Sequence, residues 1–240
     1  MLAFLKADSY QWIVVDNGSE LDLSAQLPQA VYLRMRENLG FGRANNWGAE
    51  KATTPYLFFV NPDCEFVGDC VTPLLESLRY SAVTAPLVFN TDGSVQLSFG
   101  PFLSILNEAV QRLRTRFEKS NWVQSWIRRQ ASKVFYPDYV SGCAFLIRAD
   151  VFRDLGGFDE NFFLYQEDVD LCKRVKDRKL QVSLVPDAHI MHARNRSMMN
   201  EREKVEVEYR KSQIYYYRKH NSMLQNLLLR LYLTIKFILK

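Results

Sequence analysis

The sequence has no C-x-x-C pair: its four cysteines, Cys64, Cys70, Cys143 and Cys172, stand apart, and no secretory leader is legible before them. This spacing supports neither a zinc site nor a disulfide scaffold and fits a reducing cytoplasm. No uninterrupted apolar run reaches the ~18 residues of a membrane span, because Arg230 and Lys236 break the one candidate near the end. Low-complexity tracts and internal repeats are also missing, which excludes a solenoid or a disordered polymer. Net charge is only +4, but basic residues gather late, in KSQIYYYRKH and the final segment, which suggests an anionic surface as neighbour. A nucleic-acid module would need a basic stripe with aromatics across a sheet. YYYRKH is the single such cluster, so no nucleic-acid partner is expected.

What is present suits one globular domain: 240 residues, 48% hydrophobic and 24% charged, enough for a core plus a helical extension. Strand and helix signals alternate early: QWIVVDNGS, AVYLRMREN and YLFFVNPD read as strands and FGRANNWGAEKA as a helix, an α/β pattern. Polar punctuation follows those strands at Asp16-Asn17-Gly18-Ser19, Glu37-Asn38 and Asn61-Pro62-Asp63, where open α/β sheets gather ligands. CVTPLLESLRY reads as a helix, AVTAPLVFN as a short segment, Asn90 to Ser94 as a hairpin turn, and 101–136 as a basic stretch with little pattern. DYVSGCAFLIRADVFRDLGGFDENFF reads as a strand, a short helix from Ala149 and a loop, and LQVSLVPDAHIMH as a further strand. The chain divides into residues 1–200, the α/β domain, and 201–240, a helical extension. In the extension Leu224, Leu227, Leu228, Leu231, Tyr232, Ile235, Ile238 and Leu239 share a face. Such a face docks on the domain or lies in a membrane interface.

FFLYQEDVDL, residues 162–171, puts Glu167, Asp168 and Asp170 within four positions. Acids favour a helix start without any chemistry. In a helix from about Asp168 to Lys179, however, Asp168 shares a face with Leu171, Cys172 and Val175. It therefore heads an inward stripe and must be bonded, paired or placed at a cleft edge. The same phase makes Asp170 and Arg174 an ordinary solvent-facing i,i+4 pair.

Six motifs, VVDNGS (14–19), ENLGFGRANNWG (37–48), FFVNPDCEF (58–66), SGCAFLIRADVF (141–152), GGFDENFFLYQEDVDLCKRV (156–175) and PDAHIMH (186–192), together resemble the inverting family 2 glycosyltransferases, in particular their rhamnosyltransferase-like members. The resemblance implies a GT-A fold, Rossmann-like, with a mostly parallel central sheet flanked by helices. It implies Asp16 as acceptor of a hydrogen bond from the donor's base, where the local alternative is an Asx turn. Asn38, Gly40 and Asn45, with Asn46, would contact the nucleotide or sugar. Asn61-Pro62-Asp63 is similar to the family's D-x-D with Asn in first place, so Asn61 and Asp63 would hold the donor diphosphate through Mg²⁺ or Mn²⁺. The local alternative is a strand-ending turn. His192 would join Asp63 at the metal, and Gly142 and Asp159 would line the sugar or acceptor pocket, Asp159 having a turn cap as its alternative.

The implied activity is transfer of a sugar, rhamnose from dTDP-rhamnose as first choice, to a glycan or lipid-linked saccharide hydroxyl in cell-surface polysaccharide synthesis. Asp168 would act as base, Glu167 beside it, and the preceding aromatics would wall the acceptor pocket. The expected location is cytoplasmic, with peripheral contact at the inner face of the plasma membrane through the C-terminal helix. The alternative is a noncatalytic nucleotide-sugar-binding relative. Members of the family begin with another strand and helix before VVDN. Here MLAFLKADSY alone precedes it, as the tail of that helix, so the usual first strand is expected to be missing.

Overall fold

The structure is a computed structural model that describes residues 10–193 and 202–238. The reading of MLAFLKADSY as a helix tail, the boundary at residues 200 and 201, and Leu239 lie outside the described residues. The elements run β1 (Ile13–Asp16), β2 (Val31–Arg34), α1 (Phe41–Glu50), β3 (Tyr56–Val60), β4 (Cys64–Val67), α2 (Val71–Ser77), β5 (Val83–Phe89), β6 (Phe99–Gly100), α3 (Ile105–Arg116), α4 (Asn121–Gln130), β7 (Tyr139–Val140), β8 (Ala144–Arg148), α5 (Ala149–Asp154), α6 (Glu167–Asp177), β9 (Val182–His192), α7 (Arg202–His220) and α8 (Met223–Ile238).

The central sheet has the order β3-β8-β5-β9-β4. Strands β3, β5 and β9 run one way, while β8 and β4 run against them, so parallel and antiparallel ladders coexist. A separate parallel pair, β1–β2, carries the first motif. Among the described residues β1 and β3 each have one strand neighbour. Side chains alternate across β8: Phe145 and Ile147 join the core beneath α4, α5 and α6, while Ala144 and Leu146 face the smaller core beneath α2. Each large side chain so buried contributes roughly 2–3 kcal/mol.

Two readings of the sequence need correction. AVTAPLVFN is no short segment: β5 is the central strand, with six of its seven residues buried. A strand covered on both faces loses the alternation that would announce it. Residues 101–136 hold two helices rather than patternless chain. Ser104 caps α3 by accepting from the Asn107 N–H at 3.2 Å. The buried residue of α3 is a glutamate, Glu108, so the helix lacks the inward apolar stripe by which an amphipathic helix is recognised.

A third, small core joins Phe162 and Val169 to Tyr216, Tyr217 and Leu229. It sets α7 against the loop that leads into α6.

Candidate active site

The first turn of α6 is held in an unusual way. Tyr165 and Gln166 both adopt left-handed backbone conformations, φ 66° and 71°, at a cost of about 1–2 kcal/mol each for non-glycine residues. The surroundings impose this turn: Ser212 of α7 donates from Oγ to the Leu164 carbonyl at 2.8 Å, and the Tyr165 and Tyr209 rings meet at 5.7 Å. No side chain caps the helix, and the chain enters it directly at Glu167.

The expected helical phase holds for Asp168. Leu171, Cys172 and Val175 are buried, and Asp168 is half-buried at the head of their stripe. Its Oδ2 accepts from the Gly142 N–H at 2.7 Å and its Oδ1 from the Val169 N–H at 2.8 Å. Burial, opposed by these two bonds, raises its pKa. Glu167 is more deeply enclosed, with an Oε2 that has no hydrogen-bond partner. Burial, then the charge of Asp168, pushes its carboxyl well above the ordinary range.

Asp170 is the correction. It is fully buried rather than solvent-facing, and it binds Arg174 Nε at 2.7 Å, Lys219 Nζ at 2.6 Å and His220 Nε2 at 2.6 Å. Burial works against its ionised form, but the bond from His220 and the charges of Arg174 and Lys219 win and lower its pKa. Lys219 and His220 end α7, a helix that could not be placed there from sequence.

On the strand side, His192 Nε2 lies 3.2 Å from Asp63 Oδ1. The Gln96 amide nitrogen donates to the His192 carbonyl at 2.7 Å, which turns its Oε1 toward His192 Nδ1 at 3.2 Å. An acceptor there calls for a proton on Nδ1, so Nε2 presents a lone pair to a carboxylate oxygen. A proton or a metal ion between them resolves that contact. Cys64 completes the geometric cluster with Asp63 and His192, but its Sγ donates to the Cys143 carbonyl at 3.4 Å. Bonding to Cys143 and burial push its thiol far up. The usable donors are therefore one carboxylate and one imidazole, a set that fits a hard or borderline divalent ion.

Asn61 sits beside them, its N–H bonded to the Cys143 carbonyl at 2.8 Å. Gly142 and Cys143 are thus a hinge point: one holds Asp168, the next holds the Asn61 turn. A Cβ on Gly142 would lie 3.3 Å from the Asp168 Cβ, so glycine permits the close approach.

The first motif forms a second group. Asp16 Oδ1 accepts from the Ser19 N–H at 2.7 Å, which is the turn reading, and Oδ2 accepts from the Tyr32 hydroxyl at 2.7 Å with Arg34 Nε at 3.4 Å. The Tyr32 bond, then the Ser19 bond, lowers its pKa. Asn38 Oδ1 accepts from the Gly40 N–H and from Asn17, both at 2.9 Å. Gly40 has φ 92°, and a Cβ there would meet the Phe163 carbonyl at 2.5 Å; that closeness lets the Phe41 N–H bond the same carbonyl at 3.1 Å. The first motif is thereby tied to the loop before α6.

Three further residues expected at the ligand make hydrogen bonds within the fold. Asn45 donates to the Phe41 carbonyl at 2.9 Å, and Asn46 clamps the Phe158 backbone through both its amide atoms. Asp159 follows its turn-cap reading, accepting from Asn161 and, through Oδ2, from Tyr215 and Lys219 of α7. Burial opposes its charge, but Lys219 and Asn161 prevail and its pKa falls. Of the expected aromatic wall, Phe162 is buried against Tyr215 while Phe163 and Tyr165 are exposed. An open depression of about 850 Å³, lined in part by Tyr56, Leu75, Arg79 and Arg153, shares none of these residues. Gln96 carried no sequence signal, since an isolated glutamine in SVQLSF belongs to no spacing pattern.

The family described as "Glycosyltransferase like family 2" matches residues 3–232. An N-acetylglucosaminyl-diphospho-decaprenol L-rhamnosyltransferase of Mycobacterium tuberculosis (strain CDC 1551 / Oshkosh) is 27% identical over 201 residues, covering 75% of this chain and 65% of that protein. Rhamnosyltransferase WbbL of Escherichia coli (strain K12) is 27% identical over 163 residues, covering 64% and 60%. The chain thus spans about two thirds or less of the length of these curated relatives. A crystal structure described as GalNAc-T7 with UDP, GalNAc and Mn²⁺ superposes with a TM-score of 0.55 at 17% identity, covering 86% of this chain and 44% of that one. The shared fold is the GT-A arrangement.

Proposed function

We propose that this chain, which belongs to the glycosyltransferase-like family 2, transfers a sugar with inversion from a nucleotide-sugar donor to a hydroxyl of a glycan or lipid-linked saccharide. The observation that carries the reading is the tie between Asp168 and the Asn61–Asp63 turn through the consecutive residues Gly142 and Cys143. An inverting transfer needs a base on one side of the anomeric carbon and charge neutralisation at the departing diphosphate on the other. Asp168 accepts the proton of the acceptor hydroxyl as its oxygen attacks. Its raised pKa keeps it basic enough for that task, and Gly142 fixes its Oδ2 so that the carboxylate does not rotate away. Burial resists the charge of Glu167, which limits the repulsion that a second full charge would place beside the base.

Asp63 and His192 would hold a Mg²⁺ or Mn²⁺ ion, with Asn61 adjacent, and such an ion supplies positive charge against the leaving diphosphate. Two relatives are named as rhamnosyltransferases, which supports rhamnose as the sugar; dTDP-rhamnose as donor and cell-surface polysaccharide as product class are carried over from the resemblance of the motifs. The base-binding role falls to the β1 end, Asp16 with Asn38 and Gly40.

The test is a panel of nucleotide sugars presented to the full chain with lipid-linked saccharide acceptors. The expected outcome is release of nucleoside diphosphate, greatest with dTDP-rhamnose, abolished by chelation and restored by Mg²⁺ or Mn²⁺. Protection from melting without any release of nucleoside diphosphate would assign a noncatalytic nucleotide-sugar-binding role instead.

A further inference from the structure

Helices α3 and α8 each turn their apolar side away from the protein. In α3 the buried residue is Glu108, hydrogen-bonded to Gln213 and Tyr217 of α7. Leu106, Val110, Leu113 and Phe117, at intervals of four, three and four residues, lie on the opposite side and are all exposed, Leu106 by 72%. In α8 the buried residue is Leu229, with Leu233 partly buried beside it. Leu224, Leu227, Leu228, Leu231, Tyr232 and Ile235 form the outward arc, Leu227 exposed by 62%. The two helices touch, and Arg112 of α3 bonds the Tyr232 hydroxyl at 3.0 Å, so the stripes lie on neighbouring helices. Trp122, at the start of α4, extends the patch through its contact with Phe117. An apolar surface built from two helices and rimmed by polar groups is an interaction site by ordinary standards, since a solvated helix would show the reverse pattern.

The charge around it identifies the occupant. Across α3, α4 and α8 the basic residues are Arg112, Arg114, Arg116, Arg128, Arg129, Arg230 and Lys236, against a single acid, the buried Glu108. A second copy of this chain would bring these cations against their own kind. An anionic lipid headgroup layer instead accepts leucines below and arginines at its phosphates, with Trp122 and Tyr232 at the boundary. No helix among the described residues is long and apolar enough to cross a membrane.

We infer that α3 and α8 together form a platform that lies on an anionic phospholipid bilayer, with the leucine stripes inserted and the arginines at phosphate level. The platform faces away from the α7 contacts that hold the α6 turn, so it anchors the domain without entering the carboxylate site.

Co-sedimentation of the full chain with phosphatidylethanolamine–phosphatidylglycerol vesicles, and separately with phosphatidylcholine vesicles, tests this. Binding is expected to the first and not the second, to weaken with added salt, and to fall at least about tenfold in Leu227→Gln/Leu231→Gln and in Leu106→Gln/Leu113→Gln. Arg116→Gln and Arg230→Gln should each lose roughly fivefold. All of these positions are exposed, so unchanged melting curves are the expected control. Binding that ignores lipid charge, or that survives both leucine pairs, overturns the platform. Loss with the α8 pair alone overturns the role of α3. A concentration-dependent dimer, seen by sedimentation velocity without vesicles and abolished by the same leucine variants, would give the surface to a second copy.

Discussion

The two sides of the α6 start make opposite use of the same chemistry. Asp168, which faces the β7–β8 turn, and its neighbour Glu167 have no cation bound to them among the described contacts, and burial lifts both pKa values. On the side facing α7, Asp170 is buried more completely, yet Arg174, Lys219 and His220 lower its pKa. Three acids in four positions thus divide into a pair whose charge is resisted and a third whose charge is required. Burial alone does not decide which; the partners do.

Replacing one acid at a time breaks the contrast most directly. Asp168→Asn should reduce transfer by about 10²–10⁴-fold with an unchanged circular dichroism spectrum, since the amide oxygen still accepts from Gly142. Near-full turnover in the folded variant would remove Asp168 from the base role. For the wild type, the rate should climb with pH along a limb set by the raised pKa of the pair. Asp170→Asn is expected to leave buried cations unmatched and cost about 3–5 kcal/mol in denaturant unfolding. The stability that Asp170 contributes is present above the ordinary aspartate range and is lost as pH falls through its lowered folded value.

Glu167→Gln sharpens the contrast with the opposite sign. Because the folded pKa of Glu167 lies above its unfolded one, stability falls as pH rises from the ordinary carboxylate range through the raised value. The glutamine variant should therefore be more stable near neutrality, by about 1.4 kcal/mol for each pH unit of the shift, and its melting temperature should depend less on pH. A wild-type and variant pair with parallel pH profiles would contradict that account. The smallest effect is expected from Gly142→Ala. Its Cβ would press on the Asp168 side chain, and a misplaced base should cost on the order of tenfold in kcat with little change in unfolding midpoint.

The parts of this molecule legible in its sequence are those encoded by local spacing. The inward phase of Asp168 followed from Leu171, Cys172 and Val175 at helical intervals, and β1, β2, β3 and α1 followed from their alternation and their polar ends. β5 was not legible, because a strand covered on both faces has no polar face to mark it. α3 was not legible, because it buries a glutamate and exposes leucines. Asp170 was misread for a related reason: two of the groups that meet it, Lys219 and His220, lie about fifty residues downstream and share no local pattern with it.

The sequence by itself determined the family, the α/β class and which carboxylate heads the inward face of α6, since motif order and helical phase are properties of neighbours along the chain. Only the tertiary structure decided that Gln96 orients His192, that Asn46 bonds the Phe158 backbone and Asp159 meets Tyr215 and Lys219, and that α7 packs on the left-handed turn at Tyr165 and Gln166. Those outcomes depend on which distant groups meet when the core closes, and a hydrogen bond across a hundred residues has no periodicity to betray it.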